Sequence, residues 1–194
     1  MSGRRAVFLD RDGTINVEKE YLHRPEDFEF IPGAPEAIRL FREAGFLVVV
    51  VTNQAGVARA YYDESAVESL HSHMAELLAA EGTGVDAIYY CPHHPDFPEG
   101  DSPMECSCRK PEPGMLLQAS SDLGIELSGS WMIGDKLADV EAGLAAGCRS
   151  ALVLTGYGSS QAESLPGGVQ VFADLLAAAR AISSGQGLSV GTND

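Results

Sequence analysis

Phe8-Leu-Asp-Arg-Asp-Gly-Thr-Ile-Asn16 is the stretch on which the reading of this chain turns. The apolar run Ala6-Val-Phe-Leu9 has no polar alternation, which suits a short strand buried on both faces. It ends directly in two carboxylates, Asp10 and Asp12, and Gly13 then lets the chain turn sharply. The same pattern returns twice. The β-branched run over 46–51 leads into Thr52-Asn-Gln54, and Trp131-Met-Ile133 leads into Gly134-Asp135. Between these runs the spacing predicts helices over 35–44, 63–80, 115–123, 139–146 and 172–182, and further strands over 85–90 and 151–154. Pro35 in a first turn, Asp63 as an N-cap, and Gly45 and Gly82 as stops punctuate them. Alternating strands and helices imply an α/β, Rossmann-like three-layer fold with a mostly parallel central sheet. Ligands bind such sheets at the carboxyl ends of the strands, where Asp10, Asp12, Thr52 and Asp135 would converge.

The chain has 194 residues, enough for one domain with a sizeable core, and a formal charge of −15. That charge argues against non-specific nucleic-acid binding and against an anionic membrane surface. No signal peptide is visible, and the longest strongly apolar run is too short to span a bilayer, so a cytoplasmic location is expected. There Cys91, Cys106, Cys108 and Cys148 are expected as thiols or metal ligands rather than disulfides. One domain over 1–182 and a disordered, Gly/Ser-rich tail over 183–194 are expected. No sign of an oligomer interface stands out, and a monomer is expected.

Phosphoryl transfer needs a nucleophile, neutralisation of the phosphoryl oxygens and a proton donor for the leaving group. Asp10 and Asp12 offer the carboxylates. Asp135 can join Asp10 around a hard cation such as Mg²⁺. The Thr52 hydroxyl and the Lys110 ammonium can hold phosphoryl oxygens. Each piece alone is common in turns and caps; their order and their placement at strand ends are what point to this chemistry.

These segments, with Lys110-Pro111 and Gly134-Asp-Lys-x-x-Asp139, resemble the four motifs of the haloacid dehalogenase (HAD) superfamily of phosphatases. The resemblance runs from about residue 7 to 156. It is densest in the opening stretch, Val50-Val-Thr-Asn-Gln54, Tyr89-Tyr-Cys-Pro-His-His-Pro95, Cys108-Arg-Lys-Pro111 and Met132-Ile-Gly-Asp-Lys136, where it is most similar to the heptose-bisphosphate phosphatases. The resemblance implies Asp10 as nucleophile through an aspartyl-phosphate, and Asp12 as general acid and then base. It implies Mg²⁺ held by the Asp10 and Asp135 carboxylates and the Asp12 main-chain carbonyl. Thr52 and Lys110 would donate to the phosphoryl group, and Asp139 would act behind them by orienting Lys136 or through water. Substrate contacts are expected from Arg11, Glu18, Tyr21, Thr52, Asn53, Gln54, Ala55, Arg109, Lys110 and Lys136. Arg109 is a candidate clamp for a second phosphate. The gap between Asp12 and Thr52 leaves no room for a large cap domain.

Cys91-x-His93 and Cys106-x-Cys108 make two ligand pairs for a closed, structural Zn²⁺ site in a loop over about 91–108. A disulfide is the competing reading of the cysteines alone, and the resemblance favours zinc. The metal would constrain a Pro-rich loop with little regular structure and so fix Arg109 and Lys110. His71 and His73 lie on different helix faces and do not suit a metal pair; His94 is read as structural, His23 as a surface residue, Cys148 as a small buried group. The implied substrate is a small sugar bisphosphate, and no nucleic-acid or membrane partner is expected. Histidinol-phosphate phosphatases share the motifs, though typically with a shorter zinc loop. A non-catalytic zinc-binding interaction module is the alternative of another class.

Overall fold

The computed structural model describes residues 3–97 and 106–185. Residues 186–194 of the tail expected over 183–194, and Pro98 and Pro103 of the Pro-rich loop, lie outside the described residues. Six strands form one sheet in the order β3-β2-β1-β4-β5-β6, every neighbouring pair parallel. They are β1 (Ala6–Leu9), β2 (Leu47–Asn53), β3 (Ala87–Cys91), β4 (Trp131–Gly134), β5 (Arg149–Val153) and β6 (Gln170–Phe172). The helices are α1 (Ala34–Glu43), α2 (Ala55–Ala58), α3 (Glu64–Ala80), α4 (Gly114–Leu123), α5 (Leu137–Ala145), α6 (Gly158–Gln161) and α7 (Leu175–Ser183).

The uninterrupted apolar strands are explained by cover on both faces. In β1, Val7 and Leu9 point into a core with α1, α3 and α7, where Ile38, Phe41, Met74 and Leu78 are fully buried. Ala6 and Phe8 point the other way, towards Met115 and Leu116 of α4 and Ala142 of α5. In β2, Val48 and Val50 alternate with Val49 and Val51 in the same manner.

Register then decides where the chemistry sits. Leu9 is level with Val50 of β2 and with Ile133 of β4, so the next residue, Asp10, lies beside the ends of both. The Asp10 N–H donates to the Ile133 carbonyl at 3.0 Å. Strand order reverses at β1, which opens the crevice there.

Several boundaries differ from those expected, each for a visible reason. Helix α5 starts at residue 137 because the Asp139 side chain reaches back and accepts from the Lys136 backbone N–H. Residues 170–172 pair with β5; α7 therefore begins only after Asp174, whose carboxylate accepts from Ala177 N at 2.8 Å. Residue 183, expected in the tail, ends that helix. No helix among the described residues is long and apolar enough to cross a membrane.

Candidate active site

At the carboxyl edge of the sheet, Lys110 forms the hub. Its Nζ lies 2.8 Å from Asp10 Oδ1 and 2.6 Å from Asp139 Oδ1, and it donates to the Val51 carbonyl at 2.7 Å. The backbone of Lys110 is tied to β2 by Asn53, whose Nδ2 donates to Lys110 O (3.0 Å) while its Oδ1 accepts from Lys110 N (3.1 Å). Both polar ends of the Asn53 side chain are thus engaged. Asp139 also fixes the other cation, since its Oδ2 accepts from Lys136 N at 2.9 Å.

Oxygens of Asp10, Asp135 and Asp139 lie within 4.8 Å of one another. Asp135 Oδ2 accepts from Tyr157 N at 2.8 Å, whereas its buried Oδ1 has no hydrogen-bond partner among the described residues. A Cβ at Gly13 or at Gly156, both at positive φ, would run into the Asp135 carboxylate. Glycine at these two positions gives that carboxylate its room. Burial, with Asp10 next to it, pushes Asp135 up to about 8 against the pull of Lys136. Burial likewise raises Asp10 to about 6, although Lys110 opposes it. Closely set carboxylates with an unpaired buried oxygen are the donor set a hard divalent cation takes, so the residues fit Mg²⁺.

Asp12 is not in that cluster. Its carboxylate receives Arg11 Nη2 at 2.9 Å, Asn16 Nδ2 at 2.9 Å and Gln54 Nε2 at 3.2 Å. Burial acts to raise its pKa, yet these donors outweigh burial and hold it below the usual carboxylate range. The expectation that Arg11 contacts substrate fails for its side chain, which is wholly buried. The guanidinium lies beneath the site, also bonded to His71 Nε2 (3.0 Å) and to the Leu22 carbonyl (3.2 Å).

A cleft of about 490 Å³ opens above these groups. Every other expected substrate contact lines it: Glu18, Tyr21, Thr52, Asn53, Gln54, Ala55, Arg109, Lys110 and Lys136. Gln54 Nε2 donates to Thr52 Oγ1 at 2.9 Å, which leaves the Thr52 hydroxyl hydrogen free to point elsewhere. Lys136 Nζ lies 3.3 Å from Glu18 and 4.7 Å from the Tyr157 ring centroid. Sequence reasoning missed Tyr62 and Tyr157, which also line the cleft, as does Glu20 within the expected loop over 18–21. The two tyrosines lie in connections that carry no periodic pattern. Asn16 stood in the quoted stretch without a role.

Beside the cleft, Cys91, His93, Cys106 and Cys108 converge. The Sγ atoms are 2.8–3.5 Å apart, and His93 Nδ1 lies 3.2 Å from Cys106 and 3.4 Å from Cys108. A tetrahedral zinc with bonds of about 2.3 Å separates sulfurs by about 3.8 Å, so this set fits Zn²⁺ with slight expansion. His94 turns away, towards Phe97 and the Asp96 N–H. His73 packs on Phe28 while His71 is buried, on different faces as expected. Cys148 is buried, as expected. His23 is more than a surface residue, because its ring stacks on Tyr62 at 4.9 Å.

A HAD-hydrolase-like family model matches residues 107–179. A D-glycero-beta-D-manno-heptose-1,7-bisphosphate 7-phosphatase from Pseudomonas aeruginosa is 43% identical over 92% of this chain and 98% of its own. One from Photorhabdus laumondii is 50% identical over 71% and 73% of the two chains. Among solved structures, the D,D-heptose 1,7-bisphosphate phosphatase of B. bronchiseptica, complexed with magnesium and phosphate, superposes with a TM-score of 0.85. It is 36% identical, covering 93% of this chain and 99% of that one.

Proposed function

Because the chain belongs to the D-glycero-β-D-manno-heptose-1,7-bisphosphate 7-phosphatase family of HAD hydrolases, we propose that it removes the 7-phosphate of that sugar bisphosphate, in the supply of activated heptose for surface glycans. The observation that carries this reading is the convergence of Asp10, Lys110 and Asp139 within 2.8 Å contacts beside the unpartnered Asp135 oxygen.

The Asp10 carboxylate attacks phosphorus in line; the new O–P bond forms as the bond to the sugar oxygen breaks. Asp12 delivers its proton to that oxygen. It is ionised at rest, and the arriving phosphate dianion raises its pKa and lets it take up the proton. Once the sugar has left, Asp12 takes a proton from the water that cleaves the aspartyl-phosphate. Lys110 and the free hydrogen of Thr52 stabilise the transferring oxygens. Mg²⁺, held by Asp10, Asp135 and the Asp12 main-chain carbonyl, would neutralise charge on the phosphoryl group. Arg109 and Lys136 supply cations for the phosphate that stays. Arg109 uses one N–H on the His93 carbonyl at 3.0 Å and keeps the rest of its fork for that phosphate. Zn²⁺ on Cys91, His93, Cys106 and Cys108 would hold the loop that presents Arg109 and Lys110. We take the enzyme to be a monomer with one catalytic domain.

The test is Mg²⁺-dependent phosphate release from both anomers of heptose 1,7-bisphosphate, histidinol phosphate and a sugar monophosphate. Preference for the β-anomer is expected. Preference for histidinol phosphate would overturn the substrate and leave the Asp10 chemistry standing.

A further inference from the structure

Arg11 presents an uncommon problem of satisfaction. A fully buried guanidinium carries five N–H donors that must be met. Asp12 takes contacts from Nε (3.4 Å) and Nη2 (3.1 and 2.9 Å), and Nη2 also reaches the Leu22 carbonyl. The remaining group, Nη1, lies 3.0 Å from Nε2 of His71, itself buried on α3.

Arginine only donates, so His71 Nε2 must be the acceptor. The imidazole is therefore neutral, with its hydrogen on Nδ1. Burial first, and the Arg11 charge second, lower the His71 pKa to about 3, with Asp12 opposing. The Tyr90 ring stands at 5.8 Å against the same imidazole and limits its movement. A neutral acceptor at this place fixes the roll of the guanidinium while leaving its positive charge to Asp12 alone. A carboxylate there would compete with Asp12 for the cation.

We propose that His71 is a positioning residue for the proton donor Asp12, acting through the buried guanidinium of Arg11. The chain of contacts runs His71, Arg11, Asp12, with Asn16 and Gln54 gripping the same carboxylate from other sides. Arg11 also holds the Leu22 carbonyl, so the one guanidinium sets Asp12 against the loop that carries Glu18 and Tyr21 into the cleft. Without an acceptor at residue 71, Nη1 is left buried and unpaired. The guanidinium then rolls to find another partner, and the donor geometry at Asp12 is lost.

This inference rests on the reading of Asp12 as proton donor, and leaving-group dependence separates the two. A poor alkoxide leaving group needs the proton, whereas 4-nitrophenolate leaves without it. His71→Leu, His71→Gln and Asp12→Asn are to be compared with wild type by kcat/KM on heptose 1,7-bisphosphate and on 4-nitrophenyl phosphate. Since each ratio uses one protein preparation, a partly unfolded fraction cancels. We expect His71→Leu to lose about 10- to 100-fold on the sugar substrate and less than about threefold on the aryl phosphate. His71→Gln, with an amide oxygen where Nε2 accepts, recovers most of the loss. An equal fall on both substrates, or a Gln variant as impaired as the Leu variant, overturns the role of His71 when Asp12→Asn is itself selective. If Asp12→Asn is not selective, the proton-donor reading fails, and this inference with it.

Discussion

Replacing Asp135 with Asn isolates the charge that the site carries for its function. Asp135 is fully buried, accepts one N–H from Tyr157, and presents towards Asp10 and Asp139 an oxygen with no hydrogen-bond partner among the described residues. An asparagine keeps the acceptor for Tyr157 and puts an N–H donor where that oxygen was. Asp135 sits at about 8 in the fold, raised from an ordinary 3.8. The folded state therefore holds a proton that the unfolded state releases, so its contribution to stability is full below about pH 4 and is lost as pH rises to about 8. An interval of about four pH units corresponds to about 5 kcal/mol if fully realised. The polarisability of the protein around these charges reduces this to about 1–3 kcal/mol. For a chain of this size that is about 2–10 °C in melting temperature. In magnesium-free buffer at pH 8, with zinc retained, Asp135→Asn is expected to melt higher than wild type by that margin. The gap should close towards pH 5. Magnesium should raise the melting temperature of wild type and leave the variant unmoved. A variant melting at or below wild type at pH 8, or a gap widening on acidification, would refute the reasoning.

Lys110→Met removes the ammonium shared by two buried carboxylates and should cost about 3–5 kcal/mol in urea denaturation, because Asp10 and Asp139 lose their partner. The same variant should lose at least about 10²–10³ in kcat; wild-type turnover would show that Lys110 is only structural. Arg109→Ala should raise KM for the bisphosphate about 10- to 100-fold, the cost of one charged hydrogen-bonded contact, with little change on a sugar monophosphate; steady-state kinetics on both substrates decides it. Cys108→Ser should lower zinc content, measured by elemental analysis, and kcat together. Full Mg²⁺-dependent turnover in zinc-free protein would separate the loop from catalysis.

The architecture was legible because two-sided burial leaves a plain mark. Strands such as Val48 to Val51 must be apolar at every position when helices cover both faces. Each such run ended in polar residues, which placed Asp10, Thr52 and Asp135 on one edge before any contact was known. The convergence of Cys91, His93, Cys106 and Cys108 was legible as two short pairs of soft donors, with the resemblance deciding between a metal site and a disulfide. What stayed hidden depends on side-chain direction. Arg11 reads as one more cation beside a catalytic carboxylate, and only the packing of α3 against it turns it inwards onto His71. Asn53 reads as a substrate contact, yet its amide is matched at both ends by the backbone of a residue 57 positions away. Strand β6 was missed because three residues, none fully buried, give no periodic signal.

The charges of the site account for its order of assembly. Around the phosphoryl position stand three carboxylates, Asp10, Asp135 and Asp139, against two ammonium groups, Lys110 and Lys136. Fully ionised, this set bears one net negative charge and repels a phosphate dianion. The metal-free protein avoids that excess by keeping a proton on Asp135, the same fact as its pKa of about 8. A divalent cation held by Asp10 and Asp135 would take the place of that proton and turn the net charge from one negative to one positive, ready to meet the dianion. On that reading cation and phosphate are expected to bind with positive coupling, each raising the affinity of the other by one factor. The lysines do not substitute for the metal here; they bring the carboxylates to the point where one divalent ion completes the site.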